Sequence, residues 1–562
     1  MTKSKYAVGV DFGTLSGRAV IVDVTNGKEL ATAVHEYGDG VIDEYLPGTD
    51  IRLEPDWALQ NPQDYIEVFK NTIPEVLKES GVDPANVIGV GIDFTACTMM
   101  PTKADGTPLC MLPEWREIPH AWVKLWKHHA AQLEANKLNQ IAREAGYGDI
   151  LDRYGGKISS EWFFPKAWQI LEEAPEVYAA AERMIEAADW VVWQLTGVES
   201  RNSCTAGYKA MWSKTEGFPP PKFFKALDPR LENIVSEKMK TDISPLGSKA
   251  GEITSQAAKW TGLKTGTAVA VANVDAHVAV PAATVNGTGR MVMIMGTSIC
   301  HMVIGDSEKV VPGICGVVKD GILPNLPGYE AGQPCVGDLF QWFTETCIPE
   351  SYENEAREKG ISVYDLLEEK AASQKPGESG LLALDWWNGN RSVLVDANLT
   401  GMMLGMTLLT KPEDIYRALI EAAAFGTRLI IENFNQNNIA IRELIATGGL
   451  PNRNELLMQI FSDATGLPIY LPEANQIGAV GSAMHGAVAA GVVNGGYDNI
   501  FDASVNMARL KEDCYRPIKE NKNIYDDLFA KYVTLHDYFG RGGNDVLKQL
   551  KELKTKVRVI KN

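Results

Sequence analysis

Three short turns and one isolated carboxylate in this 562-residue chain carry the residue types that could do chemistry together. The first turn, Asp11-Phe12-Gly13-Thr14-Leu15-Ser16-Gly17-Arg18, lies between two β-branched runs and reads as a hairpin. Half a chain later Gly296-Thr297-Ser298 sits in a weaker echo of that pattern, and Gly448-Gly449 follows a further apolar strand. Turns rich in Gly, Thr and Ser aim backbone N–H groups and hydroxyls at an anion without any formal positive charge. Two such hairpins can therefore hold a phosphate from two sides. The plain alternative is a turn in which Asp11 and Ser16 satisfy their own backbone and Arg18 is a solvated strand residue. No G-x-x-x-x-G-K-[ST] occurs, so a P-loop is excluded, and no H-E-x-x-H marks a zinc site. The isolated carboxylate is Asp275, at a strand end before Ala276-His277-Val278, where an aspartate commonly caps the next helix.

The elements that must position these residues alternate between strand and helix patterns throughout, the signal of an α/β protein. Strands are expected over 6–10 and 18–24, then at 87–92 and 268–272, and again at 290–295, 300–304 and 444–447. Asn61-Pro62-Gln63-Asp64 supplies an N-cap, a first-turn proline and an acid, and predicts a helix through Leu77. Residues 122–139 read as helical, as do 454–465 and a tail from about Tyr525, while Thr410-x-x-Glu413 reads as a capping box. The run Thr284-Val285-Asn286-Gly287-Thr288-Gly289 breaks the pattern, which then restarts with the second hairpin. That places a boundary between a domain of 1–285 and one of 286–562, and a chain of this length favours two cores with a ligand cleft between them.

Composition narrows the partners. A net charge of −18 argues against wrapping nucleic acid, which needs a clustered basic face. The eight cysteines are scattered with no C-x-x-C pair and read as free thiols of a reducing cytoplasm. Residues 1–5 are too short and polar for a signal peptide, and the small-apolar run 479–493 is too short for a membrane span and contains His485. A soluble, cytoplasmic protein is expected, with a homodimer left open.

Three phosphate-type turns in this order resemble the actin-like ATPase superfamily, and within it the FGGY sugar kinases. Ile92-Asp93-Phe94-Thr95-Ala96-Cys97-Thr98, Pro119-His120-Ala121, Ser159-Ser160-Glu161-Trp162, Ala206-Gly207-Tyr208-Lys209, Glu330-Ala331-Gly332-Gln333 and Thr447-Gly448-Gly449-Leu450-Pro451 extend the likeness along nearly the whole chain, toward members that phosphorylate L-ribulose. The resemblance implies two ribonuclease-H-like domains flanking a deep cleft, with ATP and Mg²⁺ as cofactors. It implies γ-phosphoryl transfer to the C5 hydroxyl of L-ribulose in arabinose use. D-ribulose, D-xylulose and glycerol are the alternatives within the family, and a sugar-indifferent actin-like ATPase is the alternative outside it. By the same resemblance Asp275 is the general base and Asp11 the carboxylate for Mg²⁺. Thr14, Ser16 and Arg18 face the phosphates from one side, and Gly296, Thr297 and Ser298 from the other. Gly448, Gly449 and Asn454 match the adenosine stretch, with Gly337 and Gln341 as a second contact for which helix packing is an equal explanation. Ala96 takes a slot where glycerol-kinase relatives carry a large basic residue, and Lys209 and Glu330 would bond the sugar, with surface ion pairs as the alternative. Trp126 and Trp162 read as sugar walls or as core. At His128 the pattern departs from the aspartate expected after Leu125-Trp126-Lys127, and no role is assigned to it.

Overall fold

The computed structural model describes residues 4–239 and 242–559. Two seven-stranded mixed sheets dominate it. In the first, the order is Lys249–Glu252, Ala268–Ala270, Val87–Phe94, Tyr6–Phe12, Ser16–Asp23 and Glu29–Glu36, with Asn273–Val274 paired to the far end of Val87–Phe94. In the second, it is Gly316–Lys319, Pro327–Gln333, Ile299–Ile304, Gly289–Met295, Ile441–Thr447, Ile469–Pro472 and Leu510–Tyr515. Each sheet has an antiparallel hairpin at its centre and a parallel strand on the hairpin's first arm.

Alternation along the strands decides what each face meets. Val8 and Val10 point into a core with Phe69 and Trp190, while Ala7 and Val20 point the other way, into a core shared with Val292 and Met302 of the second sheet. Between the sheets runs the helix Ile477–Ala490, the small-apolar segment noted above, together with Asp275–Ala282. The backbone approach there is close enough to require glycine. A Cβ on Gly9, Gly89 or Gly91 would stand 1.7, 1.9 or 1.8 Å from the carbonyl oxygens of Ala479, Gly486 and Ser482. Helix Ile477–Ala490 thus belongs by sequence to the second half and packs on the first sheet.

A third, largely helical body grows out of the first half around a small sheet of Leu59–Gln60, Val123–Lys124, Met99–Thr102 and Arg183–Glu186, with its own core of Trp122, Phe163, Phe164 and Phe224. Here the expected helix over 122–139 is corrected. Residues 121–125 are buried on every side, which suits a strand, and the helix is Gln132–Glu144. The capping box also moves by one residue. Thr410 Oγ1 accepts the Thr407 N–H at 2.8 Å, while the Lys411 N–H donates to Asp414 Oδ2 at 2.8 Å, and Pro412 opens the helix Pro412–Gln436. Among the described residues no helix is long and apolar enough to cross a membrane.

Candidate functional site

The strand ends of the first sheet converge on three carboxylates. Tyr6–Phe12 and Val87–Phe94 run parallel with Asp11 opposite Asp93, and Asn273 opposite Asp93 brings Asp275 to the same edge. Ser482 donates to Asp93 Oδ2 at 2.6 Å, and the other Asp93 oxygen is buried without a partner. A Cβ on Gly478, in the first turn of helix Ile477–Ala490, would lie 3.6 Å from both Asp11 Oδ2 and Asp93 Oδ1, so the positive helix end faces the pair. Burial pushes Asp11 up despite the Arg18 guanidinium, whose Nε lies 3.5 Å from it. Burial pushes Asp93 up further, with the Asp11 charge adding to it. Asp275 rises to about 7 through burial and the Asp11 charge, opposed by the Ala276 N–H that donates to its Oδ1 at 2.6 Å.

Such a cluster fits a hard cation. The buried Asp93, one oxygen of which has no protein donor, and the half-buried Asp11 beside it are relieved by positive charge. Among the described residues no group of three or more His, Cys, Asp or Glu could form an all-protein cage. An ion held by one or two carboxylates, with its other positions filled by water and phosphate oxygens, is the manner in which Mg²⁺ is bound.

The turn that follows Asp11 is braced from outside. Gly13 N–H donates to Ser16 O at 2.9 Å, Gln60 Nε2 to Thr14 O at 2.8 Å, and Trp126 Nε1 to Thr14 Oγ1 at 3.0 Å. Trp126 therefore orients a turn hydroxyl, a role the sequence did not suggest. Arg18 Nη1 donates to Gln476 Oε1 at 2.9 Å, tying the hairpin to the interlobe helix. In the second hairpin Gly296 N–H donates to Ser298 O at 2.9 Å, and helix Gly337–Thr346 docks on it through Gly337 N–H to Gly296 O at 3.0 Å. A Cβ on Gly337 would come within 2.5 Å of that carbonyl, so this glycine serves the docking. Gly448 has φ +102° and its Cβ would meet Met295 O at 2.4 Å, whereas nothing lies within 4 Å of a Cβ on Gly449. Asn454 is committed inside the domain: it caps helix Glu455–Thr465 by accepting the Leu457 N–H at 2.7 Å and donates to Tyr416 at 2.9 Å. Gln341 bonds Glu345 on the exposed face of its own helix.

The sugar-type residues come together across the lobes. Lys209 Nζ donates to both oxygens of Glu330 at 3.1 Å, a buried pair, and its ammonium lies 5.6 Å from the Trp162 ring centre. Burial opposes the Lys209 charge, but Glu330 outweighs it and raises its pKa; burial likewise opposes the Glu330 charge and Lys209 outweighs that. His277 Nε2 lies 3.3 Å from Glu330 Oε2 without hydrogen-bond alignment, and burial holds the ring neutral. Ala96 is packed against both the accessory core and the interlobe core, and is followed by Cys97 at φ +61°, whose carbonyl accepts from the buried Lys166 at 2.7 Å. His128 proves structural: its Nδ1 accepts the Ala58 N–H at 3.3 Å, and Nε2 stands 3.0 Å from Gln169 Oε1 and 3.3 Å from Lys124 Nζ. Sequence reasoning assigned no role to Asp93 or Gln476, and for Trp126 it expected a sugar wall or core and not the bond to Thr14. For Asp93 a signal existed, since Gly91-Ile92-Asp93-Phe94 repeats Gly9-Val10-Asp11-Phe12.

Residues 6–281 match the N-terminal domain of the FGGY family of carbohydrate kinases, and residues 291–490 match its C-terminal domain. The chain is 57% identical to a ribulokinase of Geobacillus thermodenitrificans over 99% of its length and 98% of the relative's. It is 56% identical to a ribulokinase of Halalkalibacterium halodurans over 98% of each chain. In fold it is similar to a ligand-bound xylulose kinase from Lactobacillus acidophilus, with a TM-score of 0.78 at 17% identity, covering 96% of this chain and 99% of that one.

Proposed function

The chain belongs to the FGGY family of carbohydrate kinases, and we infer that it transfers the γ-phosphoryl group of ATP to the C5 hydroxyl of L-ribulose, giving L-ribulose 5-phosphate and ADP. The observation that carries this reading is the contiguity of two charge sets around one carboxylate: Asp275 shares a sheet edge with Asp11 and Asp93 and opens the helix whose His277 Nε2 lies 3.3 Å from Glu330, the partner of Lys209. A hydroxyl placed beside Asp275 lies between them.

In this reading Asp275 accepts the C5 hydroxyl proton as that oxygen attacks the γ phosphorus and the bond to the ADP oxygen breaks. The Ala276 N–H fixes one carboxylate oxygen and leaves the other for the hydroxyl. Lys209 and Glu330 bond the sugar beside Ala96, so binding energy from remote groups aligns O5. Thr14, Ser16 and Arg18 on one hairpin, with Gly296, Thr297 and Ser298 on the other, surround the phosphates. Gly449, open around its Cβ position, lets the nucleotide approach the backbone, while Gly448 and Gly337 shape the turn and the second hairpin beside it. Asp11 and Asp93 would hold Mg²⁺, which neutralises charge on the β and γ phosphates when bound. The test is ADP release measured with ATP alone and with L-ribulose, D-ribulose, D-xylulose or glycerol. L-Ribulose should give the highest kcat/KM, and ADP release indifferent to all four would overturn the assignment.

A further inference from the structure

One cation of the sugar pocket has no protein partner. Arg391 follows Trp386-Trp387-Asn388-Gly389-Asn390 in the second lobe, and its stem crosses strand Pro327–Gln333 at Gly332. A Cβ there would stand 3.2 Å from Arg391 Cδ and 3.5 Å from Nη1, so the glycine of Glu330-Ala331-Gly332-Gln333 makes the room. The Gly332 N–H donates to Ser392 Oγ at 3.2 Å, and Cys315 Sγ lies 3.8 Å from the same hydroxyl, which anchors the loop on the strand. Residues 330 and 332 share a strand face. Arg391 therefore lies on the face where Glu330 meets Lys209. Yet Glu330 is already engaged at both oxygens by Lys209, and among the described residues the Arg391 guanidinium makes no hydrogen bond or ion pair.

Glu161 stands at the entry to helix Phe163–Glu173 of the first half, next to Trp162, whose ring centre lies 5.6 Å from Lys209 Nζ, so it borders the same Lys209–Glu330 pair from the other half of the chain. Its side chain is 23% exposed and has one ionic neighbour, His129 at 3.7 Å. Burial opposes the Arg391 charge, and Glu161 is the largest influence that restores it, ahead of Cys315, Cys300 and Glu330. A donor fork from one half of the chain and an acceptor from the other, bordering one ion pair and not bonded to each other, are free to bond a ligand's oxygens. Glu330 is approached from the base's helix, where His277 Nε2 lies 3.3 Å from its Oε2, while Arg391 meets the same strand two residues further on, at Gly332.

We propose that Arg391 and Glu161 read the hydroxyketone end of an open-chain pentulose, Arg391 donating to the C2 carbonyl and C1 oxygens and Glu161 accepting from a sugar hydroxyl. The proposal rests on the reading of this pocket as a pentulose site. With O5 at Asp275, the carbonyl end falls at the far wall, where a planar cationic fork suits a carbonyl and its neighbouring oxygen better than a lone hydroxyl.

The test compares L-ribulose with ribitol, which keeps the terminal hydroxyls and lacks the carbonyl, in wild type, Arg391→Gln, Arg391→Lys and Glu161→Gln. Arg391→Gln should raise the KM for L-ribulose on the order of 10- to 100-fold, leave the KM for ATP in place and shrink the preference for ribulose over ribitol. Arg391→Lys should fall between, and Glu161→Gln should raise KM for both polyols. Should Arg391→Gln fail to fold, as judged by its melting curve, Arg391→Lys and Glu161→Gln decide the matter by the same KM shifts. An unchanged KM and ribulose-to-ribitol ratio in the folded variants, or an equal kcat loss on both polyols at constant KM, overturns the proposal. A wild-type enzyme that ignores pentuloses overturns the underlying reading instead.

Discussion

Beside its turn, the first hairpin pairs Asp11 with Arg18 and aligns Asp11 with Asp93; the second pairs Ile294 with Cys300 and aligns Ile294 with Thr447. The strand orders match from Glu29–Glu36, the edge of the first sheet, and Pro327–Gln333, one strand in from the edge of the second, through both hairpins. One backbone plan thus carries charge on one side of the cleft and neutral donors on the other. On the proposed reading, the difference teaches how an acidic protein would handle a polyphosphate: carboxylates gather where a cation and a transferred proton need them, and the opposite wall offers backbone N–H groups and absent side chains.

The sharpest break in that comparison is Asp275→Asn. Removing the base should lower kcat by roughly 10²–10⁴ while ATP binding persists. Because burial and the Asp11 charge raise Asp275 to about 7, kcat/KM in the wild type should climb as pH rises through that value, and the variant should lose this limb. Normal turnover in Asp275→Asn would remove the base assignment.

Lys209→Met comes next, since it strands Glu330 as a buried unpaired charge between the lobes. A loss of about 3–5 kcal/mol in urea unfolding is expected, and adding Glu330→Gln should restore most of it. If the double variant is no more stable than the single one, the pair is not the coupling that holds Lys209 and Glu330 charged.

Much of the fold was legible because its strands are short apolar runs bounded by Gly and Asp, and both hairpins carry that punctuation. The accessory body was less so. Lys124, His128 and Gln169 form a buried polar set whose partners are 41 to 45 residues apart, and no local pattern announces strand Val123–Lys124. At the site, Asp11 and Asp275 stood out as carboxylates at a turn and a strand end, while Lys209 and Glu330 entered through the family resemblance. Asn454 misled because a helix cap and a ligand contact use the same residue type. Arg391 was invisible, since its meaning depends on a glycine 59 positions earlier, read from the numbers 332 and 391.

A smaller effect separates the lobes by pH. Asp11, Asp93 and Asp275 are all raised from 3.8, so the native state favours their protonated forms. The stability they contribute is present below about 3.8 and is lost as pH rises through the native values, for Asp275 about 7. Asp93→Asn should therefore gain on the order of 1 kcal/mol over wild type at pH 8 and less at pH 5 without nucleotide. Thr447→Val, at the matching place in the second sheet, should show no such pH dependence. Parallel melting-temperature curves for Asp93→Asn and wild type would contradict the buried-carboxylate reading.

The finest contrast lies between two adjacent glycines of the neutral wall. Gly448 sits at φ +102° with Met295 O 2.4 Å from where a Cβ would stand, so Gly448→Ala strains the backbone whatever the ligand does. A stability loss of roughly 1–3 kcal/mol is expected from the left-handed conformation. Gly449 has ordinary φ and open space around its Cβ position. Gly449→Ala should then fold with stability within about 0.5 kcal/mol of wild type. If the neutral wall works by letting the nucleotide approach the backbone, the added methyl should still raise the KM for ATP several-fold and leave the KM for L-ribulose in place. The two measurements separate a glycine needed by the chain from one needed by the ligand. A Gly449→Ala enzyme with wild-type KM for ATP would show that the nucleotide does not approach this turn, and the division of labour between the lobes would have to be redrawn around the second hairpin alone.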